Sequence, residues 1–497
     1  MSKTLRMPRP PIAKTSASRT SSEGPQDAKP YLHRLERLAK TLIGGRFKGA
    51  DGVWQLQESL LELQREIQES ISNAKSRTRG DKSKYKILQD LRVARWHARR
   101  LGDAFAWILL GLDKKVIRSL STNASVPISQ EGHGSRGLIT ISSHLANEGW
   151  GFPLLHDVTD CLRIGDVTFI KPEDGERKLH TVEVKTHLKG ERQVDEKVTE
   201  YEYEVTMVSS VPFDFPESHA SIPNNDPGPQ DMNSLEDIVN RNPLPIPDRR
   251  VGRQARRMSK AFARQQAKEG TVTKIEGESP LITMAFDSEA ISHWKPLRRV
   301  IRRSRTEGYA SECIEGAFLY AAFYNTDGVT IEDIQKTAIP QDLLESGILY
   351  PDNKEKNSIV INGIPTYESK GAQLFLPYYL YSIPQRAIFD LMHGRLIIAI
   401  IGNPGRIVTA LEDADFEVSR SSEKNGHPHD SLVISTSITD RKGNLFRADL
   451  HGISFFITEA IYEAKSIRYI VEAARSMRDG AEIALKEKGT LTPDAND

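Results

Sequence analysis

Leu162-Arg163-Ile164-Gly165-Asp166-Val167-Thr168-Phe169-Ile170-Lys171-Pro172-Glu173-Asp174-Gly175-Glu176-Arg177-Lys178-Leu179-His180-Thr181-Val182-Glu183-Val184-Lys185-Thr186 is the stretch that decides the fold. Two runs, Leu162 to Ile170 and Leu179 to Thr186, flank a polar segment that carries an Asp-Gly pair. That pair between apolar runs is the strongest short-range signal for a hairpin. If Asp174 and Gly175 are the central turn residues, antiparallel partners are those whose numbers add to the same total as that pair. Asp166 then lies across from Glu183, Val167 from Val182 and Thr168 from Thr181. The valines share one face; the two carboxylates share the other, together with Lys185 two positions beyond Glu183.

Like charges placed opposite each other on a sheet repel, so a carboxylate pair implies a cation between them. Hard oxygen ligands suit Mg²⁺ or Mn²⁺, which keep several waters and take one or two carboxylates plus substrate phosphate. Such an ion acidifies bound water and offsets phosphodiester charge during attack. Lys185 is placed to orient that water and to stabilise the developing negative charge. The expected cofactor is therefore Mg²⁺ or Mn²⁺, and the catalytic candidates are Asp166, Glu183 and Lys185.

Gly165-Asp166 on one strand and Glu183-Val184-Lys185 on the next resemble the PD-(D/E)xK, restriction-endonuclease-like nuclease superfamily over roughly residues 131 to 208. The resemblance implies an α/β fold with a restriction-endonuclease-like core, a mixed sheet flanked by helices. It implies that Asp166, Glu183 and the Val184 carbonyl hold the metal while Lys185 serves the nucleophilic water. Such sites are often completed by a further acidic residue; Glu131, Glu148 and Asp157 are the candidates. The implied activity is metal-dependent nuclease hydrolysis, of DNA ahead of RNA. Analogy with the superfamily adds a role in defence against foreign DNA. The competing expectation is a non-catalytic nucleic-acid-binding or assembly protein that retains the fold.

Outward from this centre, a short helix is expected over Ile139 to Ala146, ended by Gly149-Trp150-Gly151, and then an extended run from Phe152 to His156. Beyond Thr186, Val194, Val198, Tyr201, Val205 and Val208 recur at helical spacing, while Tyr201, Tyr203, Val205 and Met207 alternate as in a strand. Helix is the favoured reading. Upstream, residues 31–125 form a helical region with apolar positions Leu35, Leu38, Leu42 and then Leu56, Leu60, Leu63, Ile67, Ile71. Its segment Leu101 to Leu110 is apolar nearly all round, as a buried helix is.

Residues 1–30 read as a disordered basic tail, residues 126–210 as the nuclease-like core, and residues 211–280 as a Pro-rich linker followed by a basic segment. That segment holds Arg249, Arg250, Arg253, Arg256, Arg257 and Lys260. It reads either as a solvated helix face or as a phosphate-contacting arm. Arg298, Arg299, Arg302 and Arg303 are further candidates for holding a nucleic-acid backbone. Residues 281–497 form an α+β region with a helix at Ile314 to Tyr324, strands at Leu396 to Ile401 and Ser431 to Ser435, and a last helix from near Ala460 past Ile483. His427, His429 and Asp430 read as a loop rather than a metal clip. Gly402-Asn403-Pro404-Gly405-Arg406 lacks the Gly-Lys-Ser/Thr of a phosphate loop, so ATP dependence is not expected.

At 497 residues the chain exceeds what one core supports, so several domains are expected. A net charge of +1 gives no chain-wide signature for nucleic acid, which leaves only local basic clusters to supply one. Cys161 and Cys313 show no metal or disulfide spacing, and no apolar run approaches the length of a membrane span. A cytoplasmic location and no membrane partner are expected; oligomeric state is left open.

Overall fold

The computed structural model describes residues 2–7, 28–45, 49–77, 85–121, 133–173, 176–195, 198–209, 257–258, 260–261, 264–265, 272–273, 281–282, 292–324, 360–364, 374–420 and 432–488. The chain mixes helices with antiparallel sheets and divides into two compact units, Met1–Gln265 and Gln266–Asp497.

In the first unit, β1 (Ser2–Met7) precedes the helices α1 (Lys29–Ile43), α2 (Gly49–Arg77), α3 (Tyr85–Leu109), α4 (Lys114–Ser119) and α5 (His133–Leu145). The buried positions Leu35 and Leu42 on α1, and Leu56, Leu60, Leu63, Ile67 and Ile71 on α2, are those the apolar spacing predicts. On α3 every residue from His97 to Trp107 is buried.

A π-helical turn over Ala146–Trp150 leads into β2 (Phe152–Leu155), followed by β3 (Val167–Glu173), β4 (Glu176–Asp195) and β5 (Val198–Ser209). They form one five-stranded sheet in the order β1-β5-β4-β3-β2. The β3–β4 register pairs Val167 with Val182, Thr168 with Thr181 and Glu173 with Glu176, as the Asp-Gly position requires. Asp174 and Gly175 themselves lie outside the described residues.

Three expectations are corrected here. Residues 198–209 are a strand and not a helix: β-branched and aromatic residues at alternate positions favour a pleated ladder over a helix. The sheet is antiparallel throughout rather than mixed. Only two residues separate β3 from β4 and β4 from β5, whereas a parallel neighbour needs a crossover of about a dozen or more. The basic N-terminal tail contributes a strand, with Ser2 opposite Thr206 and Met7 opposite Tyr201. β1 covers the outer edge of β5, and an edge strand's unpaired backbone groups are a template for such an addition. It ends just before Pro8, which has no N–H to donate.

In the second unit, α6 (Trp294–Glu307) is followed by β8 (Tyr309–Ile314), β9 (Phe318–Tyr324), β10 (Val360–Ile364), α7 (Gln385–Met392), β11 (Leu396–Gly402) and α8 (Pro404–Glu412). The short pair β6 (Val272–Thr273) and β7 (Leu281–Ile282) lies before α6. A four-stranded sheet runs β10-β11-β9-β8, with Leu319, Ala321, Phe323, Ala399 and Ile401 forming a core on one face. The expected helix over Ile314 to Tyr324 is therefore a turn and the strand β9. Glu315 and Gly316 take positive φ and close a tight turn, and the aromatic run after them is buried as a central strand.

The three-stranded sheet β12 (Glu417–Arg420), β13 (Leu432–Thr439) and β14 (Leu445–His451) precedes α9 (Ile453–Tyr462) and α10 (Ile467–Lys488). The single last helix expected from Ala460 onward is two helices. Ala464 takes φ +48 and breaks the path, and Lys465 turns in to buried Glu459 and Glu463 at 3.0 and 3.3 Å.

Candidate functional site

Asp166 stands one residue ahead of β3. Its backbone N–H donates to the Val182 carbonyl at 2.9 Å, one residue out of step with the β3–β4 ladder. The directly opposed Asp166–Glu183 pair expected from the hairpin register is corrected accordingly. Instead, the Asp166 carboxylate reaches into the ladder, and its Oδ2 accepts the Val184 N–H at 2.7 Å. Gly165 causes the offset. It takes φ +77, and a Cβ there would lie 2.7 Å from Thr181 Cγ2 and 3.1 Å from the Val182 carbonyl oxygen. Only glycine allows the chain to turn this close to β4.

Glu183 is 3% exposed and lies beside Val184 on β4, with its Cα opposite Val208. Lys185 follows on the same strand opposite Thr206. Asp166 thus meets the backbone of the Glu183-Val184-Lys185 segment. Among the described residues, neither Asp166 nor Glu183 belongs to a group of three or more His, Cys, Asp or Glu side chains close enough to hold one ion. Of the extra acidic candidates, Glu131 lies outside the described residues, Glu148 is exposed on the π-helical turn, and Asp157 is half-buried in the 3₁₀ turn His156–Val158.

A residue missed by the sequence reading holds the Asp166 turn. His156 is buried, its backbone N–H donates to the Asp166 carbonyl at 3.0 Å, and its ring lies between Gly165 and Thr168. A carbonyl can only accept, so Nδ1 carries the ring proton and donates to Gly165 O at 3.0 Å. Nε2 must then accept the Thr168 hydroxyl at 2.8 Å, and Thr168, its proton spent, accepts from the Thr181 hydroxyl at 2.9 Å. Burial pushes the His156 pKa down to about 3, so the ring is neutral, as this chain of donors requires.

Helix α3 holds the loop from the other side. Asp103 is wholly buried; its Oδ1 accepts the N–H groups of Asp160 and Cys161 at 2.6 and 2.8 Å, and its Oδ2 accepts Arg100 at 3.0 Å. Burial raises the Asp103 pKa against the pull of Arg100. Arg99 donates to the carbonyls of Asp157 and Thr159, and Asp160 is bonded to Arg163. Gln64 joins the Ala98 and Val158 carbonyls at 3.1 and 2.8 Å. Gln57 pairs with β2 as a short strand would, donating to Pro153 O at 3.0 Å and accepting from Leu155 N at 2.8 Å. Burial beside Asp103 raises the Cys161 thiol well above its ordinary pKa, which removes it as a nucleophile.

Of the basic candidates, Arg257 and Lys260 belong to the first unit and Arg298, Arg299, Arg302 and Arg303 to the second. Arg249, Arg250, Arg253 and Arg256 lie outside the described residues. Arg257 is exposed and Lys260 half-buried beside buried Met258 and Ala261, and Gln265 donates to Ser119 at 2.9 Å. This part of the block packs on its own unit instead of forming a wholly solvated arm. On α6, Arg299 pairs with Glu312 and Arg303 lies 3.6 Å from Glu307, which reduces their charge toward an outside phosphate. His427, His429 and Asp430 lie outside the described residues. Asn403 caps α8 by accepting the Arg406 N–H at 3.2 Å, a structural role for that turn.

No family model, no curated protein and no solved structure matches the chain. No described helix is long and apolar enough to cross a membrane.

Proposed function

We propose that the chain is a metal-dependent nuclease that hydrolyses phosphodiester bonds, in DNA ahead of RNA, with a restriction-endonuclease-like core in its first unit. The observation that supports this most is the 2.7 Å bond between the Asp166 carboxylate and Val184, which sets one acidic group against the backbone that carries Glu183 and Lys185. The donor set fits a hard divalent cation: Asp166, Glu183 and the Val184 carbonyl would hold Mg²⁺ or Mn²⁺. A carboxylate has about four lone-pair sites, so the Val184 bond and a metal contact are compatible. When bound, the ion would supply a water acidified for attack and offset charge on the phosphate. Lys185 would orient that water, while His156 and the Gly165 turn keep Asp166 in position.

A second reading, a nucleic-acid-binding or assembly protein in which the arrangement is structural, is favoured by the burial of Glu183 and by Asp166 standing in for a ladder partner of Val184. One experiment separates the two. Purified protein is incubated with double-stranded DNA, single-stranded DNA and RNA in Mg²⁺, Mn²⁺ or EDTA, alongside Asp166→Ala and Lys185→Ala. The nuclease reading expects metal-dependent cleavage lost in both variants with binding retained, since binding rests on dispersed cations and hydrolysis on one held water. Binding without cleavage in any metal supports the second reading.

A further inference from the structure

Strand β14 lies at the edge of its sheet, and among the described residues nothing pairs with its outer side. It carries two of the large apolar side chains that stay exposed, Leu445 at 75% and Phe446 at 44%. The register with β13 sorts its residues. Phe446 stands opposite Ile438 and Leu450 opposite Ile434, both buried, so Phe446, Ala448 and Leu450 belong to the core face. Leu445, Arg447, Asp449 and His451 belong to the other. The core face therefore runs out at β14 with an apolar border only partly covered.

We propose that β14 pairs antiparallel with β14 of a second copy of this chain, about a two-fold axis through Ala448. Proteins usually blunt an open edge with charge, proline or a bulge, because its unpaired N–H and C=O groups invite another strand. Here the sequence is self-complementary. Within its own chain Arg447 lies 2.7 Å from Glu417 and 3.7 Å from Asp449, both exposed, and Asp449 accepts the Ser435 hydroxyl at 2.6 Å. In the Ala448-centred register Arg447 also meets Asp449 of the second copy twice, and Phe446 meets Leu450 of the second copy twice. The two Ala448 residues face each other, and their small side chains allow close approach. Moving the axis one residue either way sets Arg447 against Arg447 or Asp449 against Asp449. A half-residue shift turns the core face of one copy toward the solvent face of the other. Thus one register matches charge and face together. The turn before β14 is closed by Asp440, whose Oδ1 accepts the N–H groups of Lys442 and Asn444 at 2.7 and 2.9 Å.

The pairing rests on a single seven-residue edge strand from each copy, whereas stable interfaces bury roughly 1,200 Å² or more, so the association is proposed to be reversible and dependent on concentration. The test is sedimentation velocity on the full chain over a concentration series. Wild type is expected to pass from monomer to dimer. Arg447→Asp and Asp449→Arg should each remain monomeric, because each sets like charges opposite. An equimolar mixture of these two variants should dimerise again, as should the double variant Arg447→Asp/Asp449→Arg. Far-UV circular dichroism and thermal melts on all four proteins exclude simple unfolding. A wild type that stays monomeric at every attainable concentration overturns the proposal. So does a dimer unaffected by both single variants, or a mixture that stays monomeric.

Discussion

The carboxylate of Asp166 accepts the backbone N–H of Val184 at 2.7 Å, so the residue expected to bind metal also completes the β3–β4 ladder where that ladder loses register. The two roles separate by substitution. Asp166→Asn keeps an oxygen acceptor for Val184 and should fold with little loss, yet lose metal-dependent cleavage. Asp166→Ala should lose cleavage and also about 1–3 kcal/mol of stability, because a partly buried N–H is left without its acceptor. Urea denaturation of the two variants checks this; equal midpoints would show that the Val184 bond contributes nothing.

The neutral His156 gives the first unit a sensitivity to acid. Its pKa falls from the ordinary 6.5 to about 3 on burial, so the unfolded chain binds a proton there that the folded one does not. Its contribution to stability is complete above pH 6.5 and is lost as pH falls toward 3, at up to about 1.4 kcal/mol per pH unit. Denaturation midpoints measured across this window should fall less steeply for His156→Gln than for wild type. Parallel curves would refute the assignment.

Gly102 lets α3 touch the loop that positions Asp166. A Cβ built there would lie 1.7 Å from the Val158 carbonyl oxygen, which is backbone and cannot rotate aside. Gly102→Ala should therefore force the helix and the His156–Val158 turn apart, at a cost of about 3 kcal/mol or more, despite alanine's higher helix propensity. A stabilised Gly102→Ala protein in thermal melts would contradict the packing described.

Lys465 lies 3.0 Å from Glu459, 3.3 Å from Glu463 and 3.8 Å from the Tyr469 ring centre, all of them buried. Lys465→Ala should cost about 3–5 kcal/mol by leaving two buried carboxylates without their cation. Adding Glu459→Gln and Glu463→Gln to Lys465→Met should restore part of the loss. The comparison is made by chemical denaturation, and a Lys465→Ala midpoint equal to wild type counts against the cluster's role.

The amino-acid sequence by itself determined what depends on neighbours along the chain. The apolar faces of α1 and α2 follow from helical spacing, and the β3–β4 register follows from Asp174-Gly175 together with the alternation of Val167, Thr168, Thr181 and Val182. The same local logic erred where two periods were superposed, at Tyr201 to Val208, and where an aromatic run bore no period at all, at Phe318 to Tyr324. Only the tertiary structure decided how Asp166 is held. Gly165 packs on Thr181, Gln64 reaches Val158, and Asp103 takes the N–H groups of Asp160 and Cys161, all contacts between residues far apart in the chain. Asp103 stands out as the one charge in the apolar run Leu101 to Leu110, but neither it nor His156 has its partners marked by spacing along the sequence. Burial makes an unmet hydrogen bond costly, and which distant backbone group meets it is set by how α2 and α3 pack, not by spacing along the sequence.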